Sequence, residues 1–464
     1  MRINRTASAP ILAGLCFLAA AQQSDIITKI TGGARPVIAI PDMRATGAAE
    51  ALMGTFNATL WSDVSDSGLF SMGPKSMYPL EVPQQPKDFK PPLPSRLPAR
   101  KNAPPPQPIR QGPWLTDWSA PPVSAKYLAF GYGGVQDGQL VLFGYLYDVQ
   151  QADPATAQVI GKLYFGSLDE AGARKVAHDF SADILKLFGA RTLQGSKIYF
   201  ASTRSGKGIK ELWSMDFDGA NQKQLTFYKS VSTMPAISPD GKRLAFTSFH
   251  LGNPAILIHS LETTRRLPFY NQAASMNATA EFTPDGKSML FSNTLSGYAQ
   301  IYVANIDGSG VRRISSSRAI EVEPKVNPKN PTELVFVSGR SGYPQIYKMN
   351  MDGADVTRLT SGEGEAVNPC WHPDGRHIAF AWTKGYDPGN YNIFVMDVAT
   401  QEYVQLTHGT GRNENPFWGP DGKHLVFGSN RGGTLQLYTM LADGTQLKQL
   451  TTQGTNEKPV WSRQ

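Results

Sequence analysis

The stretch that decides the fold is HPDGRHIAF, residues 372–380, because near copies of it stand at SPDGKRLAF (238–246), TPDGKSMLF (283–291) and GPDGKHLVF (419–427). The apolar residue closing each unit recurs as Phe200, Phe246, Phe291, Phe336, Phe380 and Phe427, at steps of 46, 45, 45, 44 and 47 residues. A second mark runs ahead of most of these, at Ile237, Phe282, Val326, Trp371, Trp418 and Trp461, usually with proline two positions earlier, as in NPCW, NPFW and KPVW. Self-similarity at such a period signals a repeat architecture.

Each period holds four short β-type runs. A strand ends at the Trp-type mark, the P-D-G turn follows, then come a strand such as KHLVFGS, a polar glycine-rich loop, a strand such as QIYKMNMD, a D-G turn and VTRLT. Asp-Gly between apolar runs is a hairpin signal, since glycine accepts positive φ and aspartate bonds its own backbone. Four strands per unit make a propeller blade, and six Phe marks predict six. The first unit, from about Ser196, lacks a Pro-x-Trp strand, whereas the chain ends on KPVWSRQ with no blade after it. The two defects cancel if the last strand closes the first blade, which also removes exposed sheet edges. The expected fold is an all-β six-bladed β-propeller over 191–464, preceded by an N-terminal α/β domain over 34–190.

In that domain Val37–Ile40 reads as a buried strand. The segment 47–68 places Leu52, Phe56, Leu60 and Val64 at helical spacing, and a second helix from about Asp169 places Val176, Phe180, Ile184 and Leu187 on one face before Gly189. KYLAFGYGG, GQLVLFGYLYDV and VIGKLYFGS predict three antiparallel strands. Between Pro79 and Pro113 about one residue in three is proline, which predicts an extended excursion with no core of its own and no regular structure.

The first 21 residues carry Arg2 and Arg5, an apolar run from Ile11 to Ala20 and small residues before Gln22, the order of a secretory signal peptide cleaved near Ala21. Cys16 follows the large Leu15, which argues against lipoprotein processing. Cleavage takes the formal charge from +7 to +5 and leaves Cys370 as the one cysteine, so no internal disulfide is expected. Export without disulfides points to a bacterial periplasm. No Lys/Arg cluster interleaved with aromatics is present, so nucleic acid is not an expected partner. Residues 22–33 read as a mobile arm.

ITKITGGARPVIAIPDM, the helix GAAEALMGTFNATLWSDVSDSGLFSM, the strand end LYDV and six P-D-G-type repeats ending in W-S together resemble the TolB family of the Tol-Pal system. The resemblance covers nearly the whole mature chain. It implies a periplasmic scaffold that binds the peptidoglycan-associated lipoprotein Pal through the propeller and TolA of the inner membrane through the N-terminal arm, here Gln22, Asp25, Ile26, Ile27 and Ile30 within 22–31. It further implies a part in envelope integrity, in outer-membrane constriction at cell division and in protein import. The chain departs from the family in a longer Pro-rich stretch and in Asn327-Pro-Lys-Asn-Pro-Thr332, which replaces P-D-G in the fourth repeat.

A propeller presents the loops leading into its inner strands around one channel mouth. Four positions before the Trp-type mark stand Thr233, Ala278, Val322, Val367, Glu414 and Glu457, and one step later Met234, Thr279, Glu323, Asn368, Asn415 and Lys458. Such a mixed ring suits a protein partner better than a cofactor. The expected contacts are Met276, Asn277, Thr279, Val322, Glu323, Val367, Asn368, Glu414 and Glu457, with the family resemblance placing Pal near 276–279 and 322–323.

No metal or cofactor is expected. MDFDG (215–219) lacks the distal glutamate of a calcium loop and reads as a hairpin, and His372, His377 and His424 stand beside turns and read as surface residues. G-x-S-x-G is absent, so the chain is not expected to be an enzyme. The alternative is a periplasmic propeller that binds or cleaves glycan or peptide.

Overall fold

The computed structural model describes residues 35–90, 93, 109–151, 153–273, 275–385, 389–409 and 411–462. It divides into two compact units, Gly33–Gln194 and the propeller-bearing Gly195–Gln464. The signal peptide and the arm residues Gln22, Asp25, Ile26, Ile27 and Ile30 lie outside the described residues.

The first unit is one six-stranded sheet: β1 (Val37–Ala39), β2 (Arg44–Ala45), β3 (Ser71–Met72), β4 (Tyr127–Gln136), β5 (Gln139–Asp148) and β6 (Gln158–Ser167), in the order β3-β1-β4-β5-β6 with β2 beside β4. β1 is parallel to both neighbours, while β4, β5 and β6 form an antiparallel meander. The β4–β5 turn is Asp137-Gly138, both at positive φ, the conformation that matches strand twist in a two-residue hairpin.

Two helices cover one face, α1 (Met53–Asp66) and α2 (Glu170–Leu187). Asp169 caps α2 by accepting the Gly172 amide at 2.7 Å. Phe56, Leu60 and Val64 meet Val176, Phe180, Ile184 and Leu142 in a fully buried core, each such side chain stabilising by about 1.5–3 kcal/mol. Leu187, expected on that face, is exposed; the helix ends there, and Leu185 and Phe188 complete the packing. The segment before α1 is a 3-10 turn over Gly47–Leu52 rather than α-helix.

Of the Pro-rich excursion, residues 91–92 and 94–108 lie outside the described residues, and its start, residues 79–90, differs from the expectation of no regular structure. Phe89 packs with Trp118, Phe130 and Tyr147 in a second core on the sheet's other face, stacked 5.6 Å from the Tyr147 ring. Pro86–Asp88 forms a short 3-10 helix whose reciprocal cap joins Gln85 and Asp88. Proline at a helix start loses no hydrogen bond, and an aromatic residue nearby gave the segment something to bury.

The second unit is a ring of six four-stranded antiparallel sheets. Blade 1 is Lys197–Ser202, Glu211–Asp216 and Lys223–Gln224, and its innermost strand is the chain's last, Asn456–Trp461, paired as Asn456 with Ser202 and Trp461 with Ile198. The Trp461 indole N–H donates to the Ser196 hydroxyl at 2.9 Å and locks the closure. The six repeat-closing phenylalanines are all buried between sheets.

The P-D-G turns work as expected. Asp240, Asp285, Asp374 and Asp421 each accept the amide two residues on, at 2.7–3.1 Å, and each following glycine has φ near +70°. In blade 4 Asn327 replaces the aspartate function, its Oδ1 accepting the Lys329 and Asn330 amides.

Candidate partner-binding site at the channel mouth

Every inner strand breaks its ladder at the same place. The register shifts between Thr233 and Ala236 and at the five equivalent points, so two residues bulge out of each blade. The first is Met234, Thr279, Glu323, Asn368, Asn415 or Lys458, and all six have φ between +52° and +55°. The second is Pro235, Pro324, Pro369, Pro416 or Pro459, with Ala280 in blade 3; a bulge is where a strand tolerates proline. The left-handed conformation costs an L-residue about 1–2 kcal/mol, and the β-branched Thr279 is an unusual occupant. Six repetitions of that strain re-aim six side chains into one cavity at the channel mouth.

Those side chains are already organised. Glu323 accepts the Asn368 amide at 2.8 Å and its side-chain NH2 at 2.9 Å, and Asn368 Oδ1 accepts the Asn415 amide at 3.2 Å. Lys458 of blade 1 reaches Glu323 of blade 4 at 3.5 Å, across the ring. Next to the mouth, Ala236, Glu281, Lys325, Cys370, Phe417 and Val460 line a second cavity, the waist of the channel. Lys325 donates to Glu281 at 2.6 Å. Burial alone would lower the ammonium pKa, but Glu281 outweighs it and the net shift is upward, so Lys325 stays charged.

Of the expected contacts, Thr279, Glu323 and Asn368 line the mouth, together with Met234, Asn415 and Lys458 of the same ring. Val322, Val367, Glu414 and Glu457 stand one residue earlier, in ladder positions. There Glu414 accepts from Arg412 at 2.6 Å and Glu457 from Lys210 at 2.6 Å. Met276 is half-buried, and Asn277 is buried, its side chain joined to Gln272, Ser275 and Asn293. The waist pair Glu281–Lys325 was missed, although charged residues directly before the Trp-type mark, where other blades carry Ala, Cys, Phe and Val, are a readable signal.

His372, His377 and His424 are buried, against the expectation of surface residues. Each is drawn in by an aspartate of its P-D-G turn. MDFDG forms a hairpin in which Asp218 accepts the Ala220 amide. In the first unit Ser181, His178 and Asp63 meet, but serine and histidine both bond Asp63 Oδ2, at 2.6 and 2.7 Å. The carboxylate sits between them, so the imidazole is not placed to take the serine proton, as a nucleophilic triad requires.

The fold and the organised mouth define a class: a six-bladed propeller with an α/β domain ahead of it in the chain and a ring of bulged residues around one channel opening. The chain belongs to the TolB family, its residues 184–386 and 360–464 matching the TolB beta propeller domain. It is 36% identical over 208 residues to the Protein TolB homolog of Chlorobium chlorochromatii, covering 44% of each chain. It is 30% identical over 217 residues to the Tol-Pal system protein TolB of Anaeromyxobacter dehalogenans, covering 47% of this chain and 46% of that one. The matched part spans just under half the length of these curated relatives. The crystal structure of TolB from Acinetobacter baumannii aligns over 93% of this chain and 98% of its own with a TM-score of 0.73 at 23% identity, a likeness of fold. Among the described residues no helix is long and apolar enough to cross a membrane.

Proposed function

We propose that the chain is a non-catalytic periplasmic scaffold of the Tol-Pal system, docking Pal on the propeller mouth and TolA on residues 22–31, in support of envelope integrity and outer-membrane constriction. The observation that carries this reading is the ring of six left-handed bulge residues. Strain held at equivalent non-glycine positions supports the reading of a surface shaped for recognition, and a mouth of mixed polar and apolar side chains suits a protein partner. The relatives bearing the name Tol-Pal system protein support the partner assignment.

Calorimetry of the mature chain with a Pal-type domain tests it. Saturable binding is expected, weakened at least about tenfold by Glu323→Lys, which reverses the charge at the centre of the mouth network, and by Thr279→Arg, which fills the cavity. Binding unchanged in both variants would move the site elsewhere.

A further inference from the structure

We propose that the blade 5 turn, His372-Pro-Asp-Gly-Arg-His377, binds a divalent transition cation through His372 Nδ1, His377 Nδ1 and a carboxylate oxygen of Asp374. Ligand atoms of the three residues lie within 4.8 Å of one another. Two imidazoles and a carboxylate are a donor set for zinc and its neighbours rather than for calcium or magnesium.

The other ring nitrogens carry the argument. His372 Nε2 lies 2.7 Å from the Gly422 carbonyl oxygen, which only accepts, so that nitrogen bears the proton. In the tautomer protonated on Nε2 alone, the Nδ1 lone pair points toward Asp374 Oδ1, 3.0 Å away, and two electron-rich atoms face each other. A cation between them resolves the opposition. One donor competes for that lone pair, the Asp374 amide at 3.1 Å, and metal binding exchanges this contact for a stronger one.

His377 brings its Nδ1 to the other oxygen of the same carboxylate. Its Nδ1 lies 2.7 Å from Asp374 Oδ2, and its Nε2, with no hydrogen-bond partner among the described residues, faces Asp397 Oδ2 at 3.9 Å. Asp397 is itself held by Arg376, whose Nε donates at 2.8 Å. Both rings thus set Nδ1 against one shared carboxylate, and in His372 the Nε2–H to the Gly422 carbonyl is the outer hydrogen bond that fixes a metal-bound imidazole. The rings are buried while the Asp374 side chain is 36% exposed, which gives the ion a route from solvent and a water for its open position.

The sister turns lack the set. Equivalent positions hold Ser238 and Arg243 in blade 2, Thr283 and Ser288 in blade 3, and Gly419 and His424 in blade 6. His372→Ser and His377→Arg therefore install residues that already serve this turn in blade 2, where the Ser238 hydroxyl donates to Asp240 at 2.5 Å.

The test uses the full mature chain, stripped with chelator and titrated with Zn²⁺ in a non-coordinating buffer. One saturating Zn²⁺ per chain is expected, with affinity lowered at least about tenfold in each variant and circular dichroism unchanged. Absence of saturable binding overturns the proposal, as does equal binding in both variants, which would assign the ion to other histidines. X-ray absorption on the wild-type zinc complex is independent of variant folding: two imidazoles in the shell support the site, and none refutes it.

Discussion

Asn415 shows the residue-scale logic of the mouth. At φ +53° it is the kind of side chain that enters the left-handed region most readily, and because the bulge has left the ladder its amide donates to Asn368 Oδ1 of the neighbouring blade. Asn415→Val puts a β-branched residue there and is expected to lower stability by about 1–2 kcal/mol in urea denaturation; an unchanged midpoint would mean the bulge holds no strain. Little of this was legible in the sequence. Asn368 and Asn415 hint at positive φ, but Met234, Thr279, Glu323 and Lys458 do not, and the conformation follows from the bulge, not from residue preference. The buried histidines were misread for a related reason: residues beside turns are usually solvated, and only the fold brings Gly422 of the next blade against His372.

Asp421 adds a dependence on pH. Burial alone would raise its carboxyl pKa, but the His424 imidazole at 2.6 Å and the amides of Lys423 and His424 outweigh burial and hold it below the ordinary carboxylate range. A carboxylate with a folded pKa below its unfolded value of about 4 stabilises the fold above that pH, and the contribution is lost as pH falls through the folded value. Asp421→Asn keeps an oxygen for the Lys423 amide but removes the charge. The variant is expected to be less stable than wild type at pH 7, with the gap shrinking as the pH drops below about 4; a gap independent of pH would contradict the assignment.

At the scale of elements, the repeat was legible because P-D-G and the Phe and Trp marks are set by turn geometry and core packing, which every blade must satisfy. Ring closure was legible too, from a blade short of one strand and a chain end with one to spare. Trp461 joins the two, buried and bonded to Ser196 across the chain's length. Trp461→Ala is expected to cost about 3–5 kcal/mol, read from denaturant unfolding of the propeller, whereas a loss below 1 kcal/mol would show that closure does not depend on it. The Pro-rich excursion was harder to read, since composition argued against structure while the packing of Phe89 and Trp118 depends on a sheet face formed by distant strands. Leu187 failed as a core residue because helical periodicity carries no information about where a partner surface ends.

At the scale of the whole molecule, the proposed scaffold takes different partners on different segments: Pal on the propeller mouth and TolA on residues 22–31. Such a scaffold requires the two binding activities to be separable. The most direct measurement is capture of the mature chain on immobilised TolA and, in parallel, on immobilised Pal, for wild type, Glu323→Lys and a chain lacking residues 22–31. The truncated chain is expected to lose TolA and keep Pal, and Glu323→Lys to lose Pal and keep TolA. Retention of TolA by the truncated chain, or loss of both partners together in a folded Glu323→Lys variant, would contradict this division.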